Sequence, residues 1–182
     1  LEVLRAGGVI ICPTEGVYGL SCRADCPQAV ERLLRLKGRS VERGLICVAS
    51  AWEQLSGLAA PGSAALDALR ARLWPGPYTL IVPAAPGCPA YLCGAHQGLA
   101  VRISAFAPLR AQCAEGALVS TSANLSGRAP VRDWRALEPG LCAKCDLVLS
   151  LPCGDLCAPT AIYDTLGGCL LRPGPAWPEE LS

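Results

Sequence analysis

Four hydroxyls and one amide crowd into the eight residues Ser120-Thr121-Ser122-Ala123-Asn124-Leu125-Ser126-Gly127, directly after the apolar run Ala117-Leu118-Val119. Short donors and acceptors at a strand exit either turn the backbone and cap a following helix, or hold a polyanion. Cations decide between the two, and four are well placed. Lys37 and Arg39 flank Gly38 at the end of a helical pattern, Arg102 interrupts the run Leu99-Ala100-Val101-Arg102-Ile103, and Arg172 closes the last strand-like run before Pro173-Gly174. A charge on a buried strand must be paired or must face a cavity. Cations and short hydroxyls together suit the positioning and neutralisation of a polyphosphate, a task that needs no protein nucleophile.

Other chemistries fit less well. The only histidine, His96, lies in a Pro/Gly/Ala-rich stretch over residues 84–98, so no catalytic triad assembles around it, and it reads as an incidental exposed residue. A Ser–Lys hydrolase, with Lys37 activating Ser120 or Ser122, stays conceivable, although no glycine elbow presents either serine. Neither a Walker phosphate loop nor a dinucleotide glycine fingerprint is present.

The elements that must position these groups follow from periodicity. Val9-Ile10-Ile11-Cys12 predicts a buried strand ended by Pro13, followed by a two-glycine loop from Thr14 to Leu20. Thr14 and Glu15 then sit at a strand exit, where α/β proteins place ligand groups. Pro27 to Leu36 predicts a helix with Pro27 in its first turn and Gly38 beyond its end. Lys37, seven residues after Val30, extends its inward face, and with Arg39 and Arg43 three cations converge at one helix end. Further strands are expected at Leu45–Val48, Tyr78–Val82, Leu99–Ile103, Asp146–Leu151, Thr160–Asp164 and Cys169–Arg172. Helices are expected near Ala51–Leu55, Ala64–Leu73, Leu109–Cys113 and Asp133–Leu137. The class is α/β with a mixed sheet.

At 182 residues the chain reads as one domain, large enough to bury roughly 70% of its unfolded surface. No apolar run reaches the length of a membrane span, and a net charge of +1 sets up no whole-molecule field for nucleic acid or membrane. The start lacks a signal-peptide pattern and reads as the end of a helix whose beginning is missing, capped at Gly7 or Gly8; the expected location is the cytoplasm. Fourteen of sixteen basic residues are arginine, which singles out Lys37 and Lys144. Twelve cysteines include Cys142, Cys145, Cys153 and Cys157 at zinc-like spacing, but a strand between the two pairs would hold them roughly 20 Å apart. The cysteines read as small core residues of a reducing compartment, and no metal site is assigned.

Five motifs occur in a telling order. They are Pro13-Thr14-Glu15-Gly16-Val17-Tyr18-Gly19-Leu20, Leu36-Lys37-Gly38-Arg39, Trp74-Pro75-Gly76-Pro77-Tyr78-Thr79, Ala100-Val101-Arg102 and the Ser120–Gly127 segment. In this order the chain resembles the YrdC-like family over nearly its whole length, and within it the short bacterial threonylcarbamoyl-AMP synthases. The resemblance implies a single domain over residues 1–182, built as a twisted mixed sheet with flanking helices around a concave basic cavity. It implies that L-threonine, bicarbonate or CO2, and ATP give threonylcarbamoyl-adenylate and pyrophosphate, for threonylcarbamoyladenosine in tRNA. Lys37, Arg39 and Ser122 would be catalytic, with Mg2+ accompanying ATP as substrate. Lys37, Arg39, Ser120, Ser122, Asn124 and Arg172 would hold ATP; Thr14, Tyr18, Arg102 and Thr121 would hold threonine. Proteins of tRNA threonylcarbamoyl transfer, and tRNA itself, are the further partners implied.

There are departures from the family pattern. A His-Pro pair of many relatives is Ala107-Pro108 here, a Pro-Ser-Thr segment reads Pro159-Thr160-Ala161, and Arg43 stands where relatives often have Lys or His. Larger hydrogenase-maturation carbamoyltransferases carry the same module, but this chain is too short for their other domains. A non-catalytic RNA-binding protein using the basic face is the alternative, against which stand the near-neutral charge and 5% aromatic content.

Overall fold

A computed structural model describes residues 1–181. Its first two strands, β1 (Ile10–Pro13) and β2 (Tyr18–Arg23), form a hairpin. The centre is built from β3 (Ile46–Ala49), β4 (Tyr78–Pro83), β5 (Gly98–Ile103) and β6 (Leu118–Ser122); β7 (Leu147–Val148), β8 (Ala161–Asp164) and β9 (Cys169–Arg172) lie toward the edges. All nine join one sheet in the order β7-β1-β2-β6-β3-β5-β4-β8-β9. Pairing is parallel for β1–β7, β3–β5 and β4–β8 and antiparallel elsewhere, which makes the sheet mixed as expected. Six α-helices accompany it among the described residues: α1 (Glu2–Arg5), α2 (Pro27–Lys37), α3 (Ala64–Leu73), α4 (Ala90–Cys93), α5 (Ala107–Gln112) and α6 (Pro139–Cys142).

The two faces of the sheet are treated differently. Successive strand residues point to opposite sides. One side carries Val9, Ile11, Leu20, Cys22, Cys47, Leu80, Val82, Leu99, Val101 and Val119, and it is covered by Val30, Leu33 and Leu34 of α2 and Leu66 and Leu73 of α3. The other side is apolar only in part. Ile10, Cys12, Val48 and Leu118 pack there under Leu4 of α1 and Leu109 of α5. The remainder of that side is a row of smaller or polar residues: register puts Ser21, Ser120, Ile46, Ala100, Ile81 and Asp164 side by side across six strands. No helix covers that row, and it becomes the floor of a cavity.

Helix α2 forms as its sequence predicts. Pro27 occupies the first turn after an extended Cys26, and Gly38, at φ 63°, takes the left-handed C-cap conformation that glycine adopts without a Cβ clash. Arg39 N–H bonds the Leu34 carbonyl, which turns the chain sharply past the helix end. Val30, Leu33, Leu34 and Lys37 make its buried stripe.

Several expectations are corrected. The Thr14–Leu20 segment is no continuous loop, because Tyr18 begins β2; Gly19 reads as a loop residue yet is needed in the strand, where a Cβ would lie 2.9 Å from Ser120 Oγ. Ser120, Thr121 and Ser122 are the end of β6 rather than a loop, and the segment caps no following helix, since the next helical piece is a 3-10 turn at Trp134–Ala136. The strand expected over residues 146–151 shrinks to Leu147–Val148, because the Leu149 and Leu151 carbonyls instead face the Tyr18 hydroxyl. The helices expected near Ala51–Leu55 and Asp133–Leu137 are short 3-10 turns. No helix of the described residues is long and apolar enough to cross a membrane.

Leu33 is fully buried beneath the sheet and anchors the helix that ends in Lys37. Leu33→Ala is expected to lower unfolding free energy by about 2–5 kcal/mol. Urea denaturation would show this as a reduced midpoint at unchanged slope.

Candidate active site

The uncovered part of the sheet borders a cavity of about 560 Å3. Thr14, Tyr18, Lys37, Arg39, Arg102, Ser120, Thr121, Ser122 and Arg172 all line it, as does Arg43. Nine of the ten residues singled out from sequence therefore meet in one place; Asn124 alone is not part of the lining.

Lys37 is the most tightly held of them. The last turn of α2 aims its side chain at the end of β6, where the ammonium donates to the main-chain oxygens of Ser122 and of Asn124 (2.9 Å). Ser122 Oγ lies at 3.1 Å and Asn124 Oδ1 at 3.2 Å. The Lys37 carbonyl in turn accepts from Ser126 N–H at 3.2 Å, so helix end and strand end clasp each other. The residue is only 5% exposed. Burial, and secondarily the nearby Arg39, push its pKa down to about 8. Four oxygens surround the Nζ, and in its charged form the ammonium donates toward them, Ser122 Oγ included, rather than taking a proton from that serine. The Ser–Lys hydrolase reading fails on that geometry.

Asn124 has a different place from the one expected. Its Nδ2 donates to the Leu125 (3.0 Å) and Arg128 (2.6 Å) carbonyls while Oδ1 faces Lys37, so it braces the loop and the ammonium from behind. Tyr18 is also committed elsewhere: its hydroxyl reaches the Leu149 and Leu151 carbonyls, and only its position, not its O–H, borders the cavity. Thr14 donates its hydroxyl to Val17 O at 2.7 Å and keeps acceptor capacity alone. Strand alternation turns the Thr121 side chain away from those of Ser120 and Ser122.

The arginines converge from three directions. Arg39 leaves the cap of α2 and donates to Gly44 O at 3.0 Å, and its Nε is buried without a partner among the described residues. Arg102 rises from mid-β5, where its Nη1 lies 3.3 Å from Thr160 Oγ1. Arg172 ends β9 and donates through Nε to Thr160 O at 2.8 Å. Burial holds Arg39 and Arg172 below the usual arginine pKa; Arg43 adds to this for Arg39, and Arg102 and Arg39 for Arg172. Cations buried beside one another in this way lack nearby compensating charge and make the cavity electropositive. Only one carboxylate, Asp164, is part of the lining.

Several lining residues escaped the sequence reading. Thr160 stood out only as a departure from a family pattern, yet it contacts both Arg102 and Arg172. Ile46, Ile81, Ile162 and Leu171 give the cavity an apolar wall, although in sequence they read as ordinary strand residues. Their signal was the strand alternation that sets them on the uncovered face. His96 and Gln97 lie at the same cavity, so the sole histidine is less remote than its loop suggested. Among the described residues no group of three or more His, Cys, Asp or Glu side chains gathers as a metal site would require.

Comparisons with known proteins agree with this picture. The family Sua5_yciO_yrdC, described as "Telomere recombination", matches residues 2–174. The chain is 48% identical over 177 residues to the threonylcarbamoyl-AMP synthase of Xanthomonas campestris pv. campestris, covering 94% of each chain. It is 40% identical over 174 residues to the protein of the same name from Coxiella burnetii, again covering 94% of each. Among solved structures, P. abyssi Sua5 complexed with L-threonine superposes with a TM-score of 0.87 at 29% identity. That match covers 95% of this chain and 52% of the other, so the chain spans about half the length of that protein.

The lowered pKa of Lys37 has a measurable consequence. A polyanion beside the ammonium favours its charged form and raises its pKa from about 8, so binding takes up a proton where the free protein is partly deprotonated. Calorimetry of ATP binding at pH 8 and above, in buffers of different ionisation heat, is expected to show net proton uptake. The uptake should fade as pH falls toward 7, where Lys37 is already charged, and should be lost in Lys37→Met.

Proposed function

The chain belongs to the Sua5_yciO_yrdC family, and from that premise we propose that it is a threonylcarbamoyl-AMP synthase, consuming ATP and L-threonine. The observation that carries this reading is the meeting of Lys37, Arg39, Arg102 and Arg172 with the Ser120 and Ser122 hydroxyls on one uncovered end of the sheet. Such a set neutralises and orients a triphosphate and supplies no nucleophile of its own. The nucleophile then comes from the substrates. The threonine amine adds to CO2 derived from bicarbonate, giving a carbamate. A carbamate oxygen attacks the α-phosphorus, the bond to the bridging oxygen of the β-phosphate breaks, and pyrophosphate leaves.

In this reading Lys37 and Arg39 stabilise the charge that grows on the departing pyrophosphate, with Arg172 beside them. Ser120 and Ser122 offer hydroxyls to the phosphates, and Ser122 also keeps Lys37 aimed. Asn124 acts through Lys37 rather than on the nucleotide. Arg102 receives the threonine carboxylate, for which a guanidinium fork is the matching partner; Thr14 and Thr121 border that end, and Tyr18 shapes it. Mg2+ would accompany ATP as part of the substrate and would help neutralise the charge of its phosphates.

The product is a mixed carbamic–phosphoric anhydride. It hydrolyses readily, so a protein that transfers the threonylcarbamoyl group to an adenosine amine in tRNA is the consumer this chemistry calls for.

Incubation with ATP, L-threonine and bicarbonate tests the reading through release of pyrophosphate and formation of the adenylate. Turnover dependent on both threonine and bicarbonate is expected. Lys37→Ala should abolish it, and Ser122→Ala should reduce it about tenfold to a hundredfold, as loss of one positioned polar group does. Turnover indifferent to threonine contradicts the assignment.

A further inference from the structure

Arg102 is one of the most buried charges in the molecule, at 5% exposure. A guanidinium so placed needs a counter-charge, and the side chain that supplies it is Glu15, itself buried and not part of the cavity lining. Glu15 Oε1 lies 3.3 Å from Arg102 Nε. The contact is therefore made to the inner edge of the guanidinium, while Nη1 points to Thr160 on the cavity side. Because the group is planar, holding Nε decides where both Nη atoms lie.

Glu15 is itself fixed from two sides. Its carbonyl accepts from Leu156 N–H at 3.0 Å, and Gly154 packs so close that a Cβ would come within 2.7 Å of that oxygen. Gly16 next to it is pressed against Ala158 O, leaving no room for a side chain. At the carboxylate, Ser104 Oγ donates to Oε1 at 2.6 Å and accepts from Phe106 N–H at 3.1 Å. The Ser104 carbonyl is in turn bound by Arg110 Nη1 at 2.9 Å. Thus a chain of contacts runs from the α5 region through Ser104 and Glu15 to Arg102.

Among the described residues Glu15 Oε2 and Arg102 Nε, both buried, make no hydrogen bond, so the two side chains meet through the 3.3 Å charge contact between Oε1 and Nε. Removing one partner of such a buried pair leaves the other charge uncompensated. We propose that Glu15, braced by Ser104, is a positioning residue that holds the inner edge of Arg102 and so presents its Nη edge to the carboxylate of the amino-acid substrate. Glu15 does not touch substrate and takes no part in the bond changes. The inference rests on the reading of Arg102 given under Proposed function.

The test compares L-threonine with L-threoninamide, which lacks the carboxylate charge, in the full chain with ATP and bicarbonate. Calorimetric binding of each compound is measured alongside turnover. The unmodified protein is expected to prefer threonine strongly in kcat/KM. Glu15→Gln should raise the KM for threonine about tenfold or more, leave the KM for ATP within about twofold, and shrink the preference over threoninamide by a similar factor. Ser104→Ala, which keeps the Glu15 charge, should move the same ratio in the same direction by less, and it decides the matter if Glu15→Gln does not fold. A merely structural role would lower turnover of both compounds together and leave the ratio unchanged, and that result overturns the proposal. If the unmodified protein neither binds nor turns over threonine, the functional reading falls and this proposal falls with it.

Discussion

One buried ammonium holds the two halves of the site together. Lys37 is the last residue of α2, and its Nζ donates to the main chain at the end of β6. The helix is pinned to one face of the sheet by Val30, Leu33 and Leu34, while the strand end belongs to the opposite, uncovered face. The lysine therefore carries a charge past the end of β6 into the cavity. Gly38 makes this feasible, because its left-handed conformation ends the helix at once and lets Arg39 follow the same path. A cation so enclosed costs free energy unless its neighbours compensate, and the lowered pKa of Lys37 is the mark of that cost. On the proposed reading, an anion entering the cavity would offset that cost.

The same logic explains the composition of the sheet. A sheet packed with helices on both sides would be apolar on both. Here the second face is covered only near Ile10, Cys12, Val48 and Leu118, and beyond them the strands carry Ser21, Ser120, Ala100 and Asp164 instead. Small residues make space and hydroxyls make contacts, while Arg102 on the neighbouring row brings charge. The cavity is thus a patch of sheet left without a helix, with cations delivered to it by α2, β5 and β9. Electrostatic preorganisation of this kind costs no rearrangement when the leaving group develops its charge.

How much of this could be read from the sequence depended on how local the cause was. Helix α2 was legible because Pro27, the Val30–Leu33–Leu34 spacing and Gly38 are all signals within a dozen residues. Arg102 was legible because a charge in an apolar run must have a reason. The role of Asn124 was not, since bracing Lys37 depends on where a lysine 87 positions earlier points. The Tyr18 hydroxyl was equally opaque, because its acceptors at Leu149 and Leu151 come from the far end of the chain. Glu15 stands out as a strand-exit residue, but its pairing with Arg102, 87 positions later, depends on how the chain after β1 folds back toward β5. Gly19 misled for a physical reason: glycine favours turns in general, yet this one makes room for Ser120 across a strand pair.

The cations around Lys37 are proposed to recognise the phosphate chain of the nucleotide. Titration of the protein with AMP, ADP and ATP at one ionic strength tests this without any catalysis. Affinity is expected to climb with each added phosphate, and these increments should collapse in Lys37→Ala. Equal affinity for AMP and ATP, or increments that survive the loss of Lys37, would contradict it.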